Sequence, residues 1–154
     1  MTDIETLLAI AAIKQLKARY FRALDTNDWG LFASTLTKNC IGVYSDGDLA
    51  FKNREEIVSF MRNNLSGKKM LTLHQGHTPE ITLLDENNAC GIWYLEDTVL
   101  ALEANMRIYG AAIYTDDYCK EDNEWRINTT RYKRTFECAE PLPQGHTVRK
   151  HGFA

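Results

Sequence analysis

The sequence predicts an α+β domain in which three N-terminal helices pack on a strongly curved mixed β-sheet. In the first third of the chain, apolar residues recur at helical spacing. The remainder consists of long apolar or alternating runs that short polar turns separate. Helices followed by strands are the order of an α+β fold. A curved sheet with helices across its concave side is expected to leave a conical pocket between the two layers.

A first helix is predicted from Thr2 or Asp3 to about Leu24. Either residue can cap its N-terminus, and apolar side chains recur along one face of the segment. Three basic residues of this segment are predicted largely on the opposite, polar side: Lys14, Lys17 and Arg22.

Two shorter helices are predicted next. Residues 25–28 break the first helix and offer caps for a second, from Trp29 to Leu36. Asn53, with a Glu three residues later, resembles a capping box and starts a third helix, which Gly67 ends. The predicted buried stripe of this third helix consists of Ile57, Phe60, Met61 and Leu65.

The rest of the fold is predicted to be strands divided by turns. The last three are about 15 residues long, whereas strands average about 5–6. Strands of that length usually bend, and Gly110 is the expected kink. The predicted strands are Cys40–Tyr44, Met70–His74, Glu80–Leu84, Ala89–Glu103, Met106–Glu121 and Glu124–Cys138. The domain is therefore expected to span residues 1–138, with residues 139–154 as a surface tail.

Composition limits the class of protein. A chain of 154 residues fits one domain, and its 44% apolar and 25% charged residues are ordinary for a soluble protein. A net charge of −3 without a basic stripe argues against nucleic acid as a partner. No apolar run approaches the roughly 18 residues that span a bilayer, so no membrane partner is expected.

The four cysteines and the N-terminus favour a cytoplasmic protein. Cys40, Cys90, Cys119 and Cys138 form no CxxC motif and have no histidine at metal-ligand spacing, so reduced thiols are expected. The first residues are acidic where a signal peptide would be basic.

Three titratable residues are the candidates for chemistry. Asp25 closes the first helix, His74 follows the apolar run 70–73, and Asp97 ends the apolar stretch 91–97. A carboxylate that orients an imidazole is the usual way to build a general base at neutral pH. Each residue also has a structural interpretation: a helix cap for Asp25, a core histidine for His74 and a strand-end residue for Asp97. A metal site formed by His74, His77 and Asp97 is conceivable, but the spacing of these residues is not diagnostic, so no metal is predicted.

Three segments together carry a resemblance to a known family. They are residues 20–29, which run from Tyr-Phe-Arg-Ala-Leu-Asp to Asp-Trp, residues 73–81 (Leu-His-Gln-Gly-His-Thr-Pro-Glu-Ile) and residues 124–127 (Glu-Trp-Arg-Ile). By their order and spacing, the chain resembles the SnoaL-like branch of the nuclear-transport-factor-2-like (cone-shaped α+β barrel) superfamily over about residues 5–137.

The resemblance implies a set of site residues. Dehydratase and dehydrochlorinase members pair an Asp at the end of the first helix with a His on a strand, and Asp25 and His74 match those positions. The pattern of bile-acid 7α-dehydratase adds a Tyr, a second Asp and an Arg, for which Tyr20, Asp97 and Arg131 are the candidates. Arg134 is the alternative to Arg131, because the two have opposite parity along a strand.

These residues predict a cofactor-independent lyase or isomerase that acts on an apolar cyclic small molecule. His74 would remove a proton from carbon, and Asp25 would orient the imidazole and stabilise its cation. Tyr20 would polarise a carbonyl or protonate a leaving oxygen, while Asp97 and Arg131 would complete the polar set. Residues proposed to contact the substrate are Trp93, Leu95, Phe60, Met61, His77 and Tyr109.

Two other functions remain open at this point, because the superfamily also includes noncatalytic members. One is a small-molecule-binding or interaction domain in which Asp25 and His74 are a structural pair. The other is a polyketide cyclase or an enzyme like an epoxide hydrolase. A broad outer sheet face predicts self-association, as a homodimer or a homotrimer.

Overall fold

The computed structural model describes residues 1–67 and 69–153. Its first half contains helices α1 (Asp3–Asp25), α2 (Trp29–Ser34) and α3 (Arg54–Leu65), with strands β1 (Leu36–Tyr44) and β2 (Leu49–Phe51) between the last two helices. Its second half consists of the long strands β3 (Met70–Leu83), β4 (Asn88–Ala101), β5 (Met106–Glu121) and β6 (Glu124–Pro141).

The strands described form one curved, unclosed sheet in the order β2-β1-β6-β5-β4-β3. Strands β1 and β6 run parallel, and the other neighbours are antiparallel. The predicted fold class, three helices in the first part of the chain packed on a curved mixed sheet, is confirmed. No helix among residues 1–67 and 69–153 combines the length and apolar character needed to cross a membrane.

The boundary between α2 and β1 differs from the prediction. The helix ends at Ser34 rather than at Leu36. The backbone N–H and the hydroxyl of Thr35 both donate to the Phe32 carbonyl, at 3.1 and 2.6 Å, and close the last turn. Leu36 then begins a strand and pairs with Ile127 of β6. Local spacing predicted that Leu36 belongs to a helix, but pairing with a distant strand places it in the sheet.

The two strands predicted at 70–74 and 80–84 are one continuous strand, β3. Gly76 and His77 keep their pairing with Leu95 and Tyr94 of β4, so the ladder does not stop at the glycine. A bulge between His77 and Glu80 takes up the Thr-Pro pair, with Thr78 at a φ of 35°. The pairing with β4 explains why Gly and Pro bend this strand instead of ending it.

The kink predicted at Gly110 lies beside a bulge in the β5–β6 pair. Ala111 pairs with Phe136 and Ala112 with Arg134, which leaves Thr135 as an extra residue on β6. A Cβ atom at Gly110 would lie 2.4 Å from the Phe136 carbonyl oxygen, so only glycine permits this close approach. Strand β6 continues to Pro141, three residues beyond its predicted end.

The interior between α1 and the sheet is filled largely by aromatic side chains. Tyr20 packs on Phe32 with ring centroids 5.1 Å apart, and Tyr114 contacts Tyr132 at 5.3 Å. The other aromatic side chains of this core are Phe21, Tyr44, Trp93, Tyr118 and Trp125.

Lys17 is buried in this interior, contrary to its predicted place on the polar side of α1. It is 0% exposed, and its Nζ lies 2.6 Å from Asp116 Oδ2 on β5. The same oxygen accepts a hydrogen bond from the Tyr118 hydroxyl, which in turn accepts one from the Trp93 indole N–H at 2.8 Å. Lys17 is four residues after the buried Ile13, so it lies on the stripe that faces the sheet.

Aromatic rings surround the Lys17 ammonium group. Its Nζ is 3.7 Å from the ring centre of Tyr114, 4.6 Å from that of Tyr20 and 5.0 Å from that of Phe21. Burial lowers the pKa of Lys17, and the Asp116 carboxylate offsets part of that effect. The ion pair and the ring faces thus hold a charge that the apolar core alone would exclude.

We expect Lys17→Met to destabilise the fold by about 3–5 kcal/mol, because it leaves the Asp116 carboxylate buried without its cation. Urea unfolding followed by circular dichroism measures the change. Lys14→Met, on the exposed side of the same helix, is the matched control and should stay within about 0.5 kcal/mol of the parent. Equal stability of the two variants would contradict the importance of the pair.

All four cysteines are free, and they differ in burial. Burial raises the pKa of the Cys40 thiol to about 12, whereas Cys138 is exposed. Only the thiolate reacts with iodoacetamide, so at pH 8 we expect Cys138 to be alkylated and Cys40 to remain unmodified until the protein unfolds. Peptide mass spectrometry with and without urea measures the alkylation of both cysteines. Rapid labelling of Cys40 in the folded protein would contradict this prediction.

Candidate active site

The carboxylate of Asp25 joins the C-terminus of α1 to the beginning of β3. Its Oδ1 accepts a hydrogen bond from the Thr72 hydroxyl at 2.8 Å and lies 2.7 Å from His74 Nδ1. Its Oδ2 accepts the backbone N–H of His74 at 3.0 Å. Both the main chain and the side chain of His74 are therefore positioned by one carboxylate.

These contacts assign the tautomer of His74. An ionised carboxylate can only accept hydrogen bonds, so Nδ1 of the imidazole carries the proton in this pair. The second ring nitrogen, Nε2, then holds the lone pair, which is the form of histidine that can remove a proton from another molecule. The geometry is that of an oriented general base.

An open groove of about 600 Å³ adjoins the pair. The side chains of His74 and Asp25 are 12% and 20% exposed, so a small molecule in the groove can reach both. The groove is open to solvent rather than enclosed, which differs from the conical pocket that the sequence predicted. Lining residues come from α1 (Lys14, Ala18, Phe21, Arg22, Asp25), β3 (His74, Gln75, Gly76, His77) and β4 (Trp93).

Phe21 forms the wall of the groove next to the imidazole. Its ring is nearly parallel to that of His74, with an interplanar angle of 8° and centroids 6.2 Å apart. A Cβ atom at Gly76 would lie 2.5 Å from the Phe21 ring, so the glycine lets that ring rest directly on β3. Sequence reasoning did not identify Phe21, although it lies one helical turn before Asp25.

Asp97 lies beside His74, directly opposite it in the β3–β4 pair. Two nitrogens of the Arg134 guanidinium hold its carboxylate, at 2.5 and 2.8 Å. Burial by itself lowers the pKa of Arg134, but the hydrogen bonds and charge of Asp97 outweigh burial and raise it. The acid next to His74 is thus neutralised by a permanent cation.

Arg131, the arginine favoured from the sequence, lies on the opposite face of the sheet. Its guanidinium contacts the Asp117 carboxylate at 3.2 Å, and the side chain is exposed. The cause is a bulge in β6: Tyr118 pairs with Ile127 and Asp117 with Thr129, so the intervening residue shifts the alternation of faces. The correction is that Arg134, the alternative, reaches Asp97.

Tyr20 does not join Asp25 and His74. Helix α1 continues through Asp25, so the five-residue separation turns the two side chains about 140° apart. The Tyr20 hydroxyl instead lies 3.2 Å from the Tyr44 hydroxyl, and burial raises its pKa well above the ordinary value. It is part of the core rather than of the groove.

The residues predicted to contact substrate are divided among several places. Trp93 and His77 line the groove, and His77 Nε2 lies 3.4 Å from the Glu96 carboxylate at its rim. Leu95 is buried in the core, while Tyr109 packs against the Arg107 guanidinium outside the groove. Phe60 and Met61 lie on α3, where Phe60 contacts Phe51.

Thr72 is a further site residue that the sequence analysis missed. It lies two residues before His74, so the two side chains share one face of β3, and its hydroxyl supports the same carboxylate. The period of two along a strand is the signal that could have identified it.

Comparisons with known proteins place this fold in a family. The model of the SnoaL-like domain matches residues 5–131. The structure is similar to a hexachlorocyclohexane dehydrochlorinase (LinA, type 2), with a TM-score of 0.81 and 23% identity over 96% of this chain and 97% of that one. It is also similar to a scytalone dehydratase candidate from Novosphingobium aromaticivorans, with a TM-score of 0.81 and 16% identity over 96% and 100% of the two chains.

A third similar structure is ActVI-ORFA from Streptomyces coelicolor. Its TM-score is 0.70, and the identity is 13% over 82% of this chain and 97% of that one. At such identities the structural similarity establishes the fold, whereas the domain match covers most of the chain. The chain belongs to the SnoaL-like domain family.

Proposed function

We propose that the protein is a lyase that removes a proton and an adjacent leaving group from a mostly apolar, cyclic small molecule. The observation that carries this proposal is the hydrogen bond between Asp25 and His74 beside a groove open to a ligand. An oriented imidazole with a free Nε2 is the group such a reaction needs.

The proposed reaction uses His74 as the base. Its Nε2 takes the proton from carbon, the C–H electron pair forms a new carbon–carbon double bond, and the bond to the neighbouring leaving group breaks. The leaving group departs as halide, or as water when the His74 imidazolium passes the proton it has taken to the leaving hydroxyl. Asp25 stabilises the imidazolium that forms, because its carboxylate already accepts the Nδ1 proton.

The lining of the groove supports an apolar substrate with one polar group. Ala18, Phe21 and Trp93 supply apolar surface. Arg22 lies one turn before Asp25 on the exposed rim and is the cation that we assign to the departing anion.

Asp97 and Arg134 have a supporting role in this scheme. Because Arg134 holds both carboxylate oxygens, Asp97 does not compete with His74 for the proton of the substrate. The ion pair lies next to His74 in the sheet but is not among the residues that line the groove. An isomerase would use the same base, and the identity of the substrate decides between the two reactions.

The names of two similar proteins support elimination chemistry. One is a dehydrochlorinase of hexachlorocyclohexane, and the other is a candidate dehydratase of scytalone. Loss of hydrogen chloride and loss of water are both eliminations, which gives two compounds with which this chain can be tested.

A noncatalytic binding domain is the second candidate function. Asp25 also bonds to the Thr72 hydroxyl and to a backbone N–H, so the same contacts can simply tie α1 to β3. In that case the groove would bind a small molecule without changing it.

We also propose that the protein self-associates as a homodimer or homotrimer through the outer face of the sheet. Ile92, Tyr94 and Phe136 are 41%, 52% and 53% exposed, and packing against a second copy would remove this apolar surface from water. Sedimentation should give a species larger than the 17.6 kDa chain, and Tyr94→Lys should shift it towards the monomer. A single 17.6 kDa species would contradict this proposal.

The lyase proposal predicts that the protein releases chloride from hexachlorocyclohexane or water from scytalone. His74→Ala should reduce turnover by roughly 10²–10⁴-fold, the usual contribution of a general base. Asp25→Asn should be similarly severe, because it removes the charge that supports the imidazolium.

His146→Ala is the control and should keep near-parent activity, since His146 is exposed and lies outside the groove. Circular dichroism should show every variant folded. Near-full activity of His74→Ala would rule out the mechanism. Binding of either compound without turnover, seen as a thermal shift, would favour the noncatalytic role.

A further inference from the structure

We propose that Phe21 is a positioning residue that holds the imidazole ring of His74 in the plane needed for proton transfer. This inference rests on the proposed role of His74 as the base, which Phe21 would serve through ring contact alone. It assigns a function to a side chain that has no polar group and takes no proton itself.

The geometry places two restraints on His74. Asp25 Oδ1 holds one atom of the ring, Nδ1, at 2.7 Å. The Phe21 ring lies nearly parallel to the imidazole, at 8° and 6.2 Å between centroids, which is an offset stack. The hydrogen bond therefore fixes a point and the stack fixes a plane.

Two restraints are needed because a hydrogen bond alone leaves the ring free to tilt. Its donor angle is favourable over about 30°, so the ring can tilt while Nδ1 stays bonded. Productive geometry requires orientation within about 10–20°. An aromatic ring held parallel beside the imidazole limits this tilting, so that Nε2 keeps one direction.

Phe21 is itself held on several sides. Its ring meets Tyr20 and Tyr114 edge to face, at 5.5 and 5.9 Å between centroids. The Lys17 ammonium, fixed by its ion pair, lies 5.0 Å from the ring centre. Gly76 gives the ring direct contact with β3. A surface fixed in this way can restrain a neighbouring ring, whereas a mobile side chain could not.

The test is nitrogen-15 NMR of the histidine rings in the ligand-free protein at neutral pH. In the parent protein we expect His74 to be almost entirely the Nδ1–H tautomer. Phe21→Leu removes the flat surface but keeps an apolar side chain. Without that surface the imidazole can tilt and its Nδ1–H hydrogen bond to Asp25 weakens. The ratio of Nδ1–H to Nε2–H tautomer should therefore fall by roughly two- to tenfold, the change that corresponds to weakening one hydrogen bond. The resonances of the His74 ring should also broaden.

Phe32→Leu is the matched control. Phe32 is fully buried and packs on the same Tyr20, at 5.1 Å between centroids, but it makes no ring contact with His74. It should lower the stability of the core at least as much as Phe21→Leu and leave the His74 tautomer unchanged. A general loosening of the core would alter His74 in both variants and would overturn the proposal.

Gly76→Ala is a second test, which displaces the Phe21 ring without replacing it. It keeps the proposal testable if Phe21→Leu does not fold. The new Cβ atom would lie 2.5 Å from the Phe21 ring and would displace it from β3. We expect the same change in the tautomer ratio of His74. An unchanged ratio in both Phe21→Leu and Gly76→Ala would overturn the proposal.

This measurement separates the two hypotheses because it uses no substrate. A changed tautomer in Phe21→Leu supports the positioning of the ring even if neither hexachlorocyclohexane nor scytalone is turned over. An unchanged tautomer ratio in both Phe21→Leu and Gly76→Ala rejects it even if His74→Ala abolishes turnover. The release of chloride or water therefore tests the lyase proposal, and the tautomer ratio measured by NMR tests the positioning proposal.

Discussion

The three hydrogen bonds of the Asp25 carboxylate are the contacts on which the site depends. They connect the end of a 23-residue helix to the beginning of an edge strand, so the position of His74 follows from how α1 lies on the sheet. Farther along the same helix, Lys17 is bonded to Asp116 of β5. With α1 held at both places, the carboxylate and the imidazole meet without a flexible loop between them, which is the support that a preorganised base requires.

The filled interior decides where a ligand can approach. Aromatic rings and one buried ion pair occupy the space between α1 and the concave face of the sheet. A substrate therefore reaches His74 in our scheme through the groove between α1 and β3, where Gly76 and Ala18 carry little or no side chain. The same packing makes Phe21 rigid. In this molecule the core is thus also part of the site, because Phe21 belongs to the core and its ring lies parallel to the imidazole.

The arrangement of charges separates two acids that the sequence alone presents as equivalent. Asp25 is bonded to hydrogen-bond donors and to the imidazole, whereas Asp97 is held by the two nitrogens of Arg134. Both oxygens of the Asp97 carboxylate are engaged by a guanidinium, whereas a carboxylate that accepts an imidazole N–H can support the imidazolium. Fold similarity at 23% identity or less does not distinguish the two acids. The side chains bonded to each carboxylate do distinguish them.

The sequence by itself determined the order of helices and strands, because hydrophobic periodicity depends on neighbouring residues. With the family resemblance it also singled out Asp25 and His74, which the structure brings together. Only the tertiary structure decided which side chains share a face. A bulge in β6 turned Arg134 rather than Arg131 towards Asp97, and pairing with β4 joined two predicted strands into one. The period of α1 places Lys17 on the buried stripe, but its partner Asp116 lies 99 residues away in the sequence. Strand register, bulges and such partners arise from contacts between distant segments, and local spacing contains no record of them.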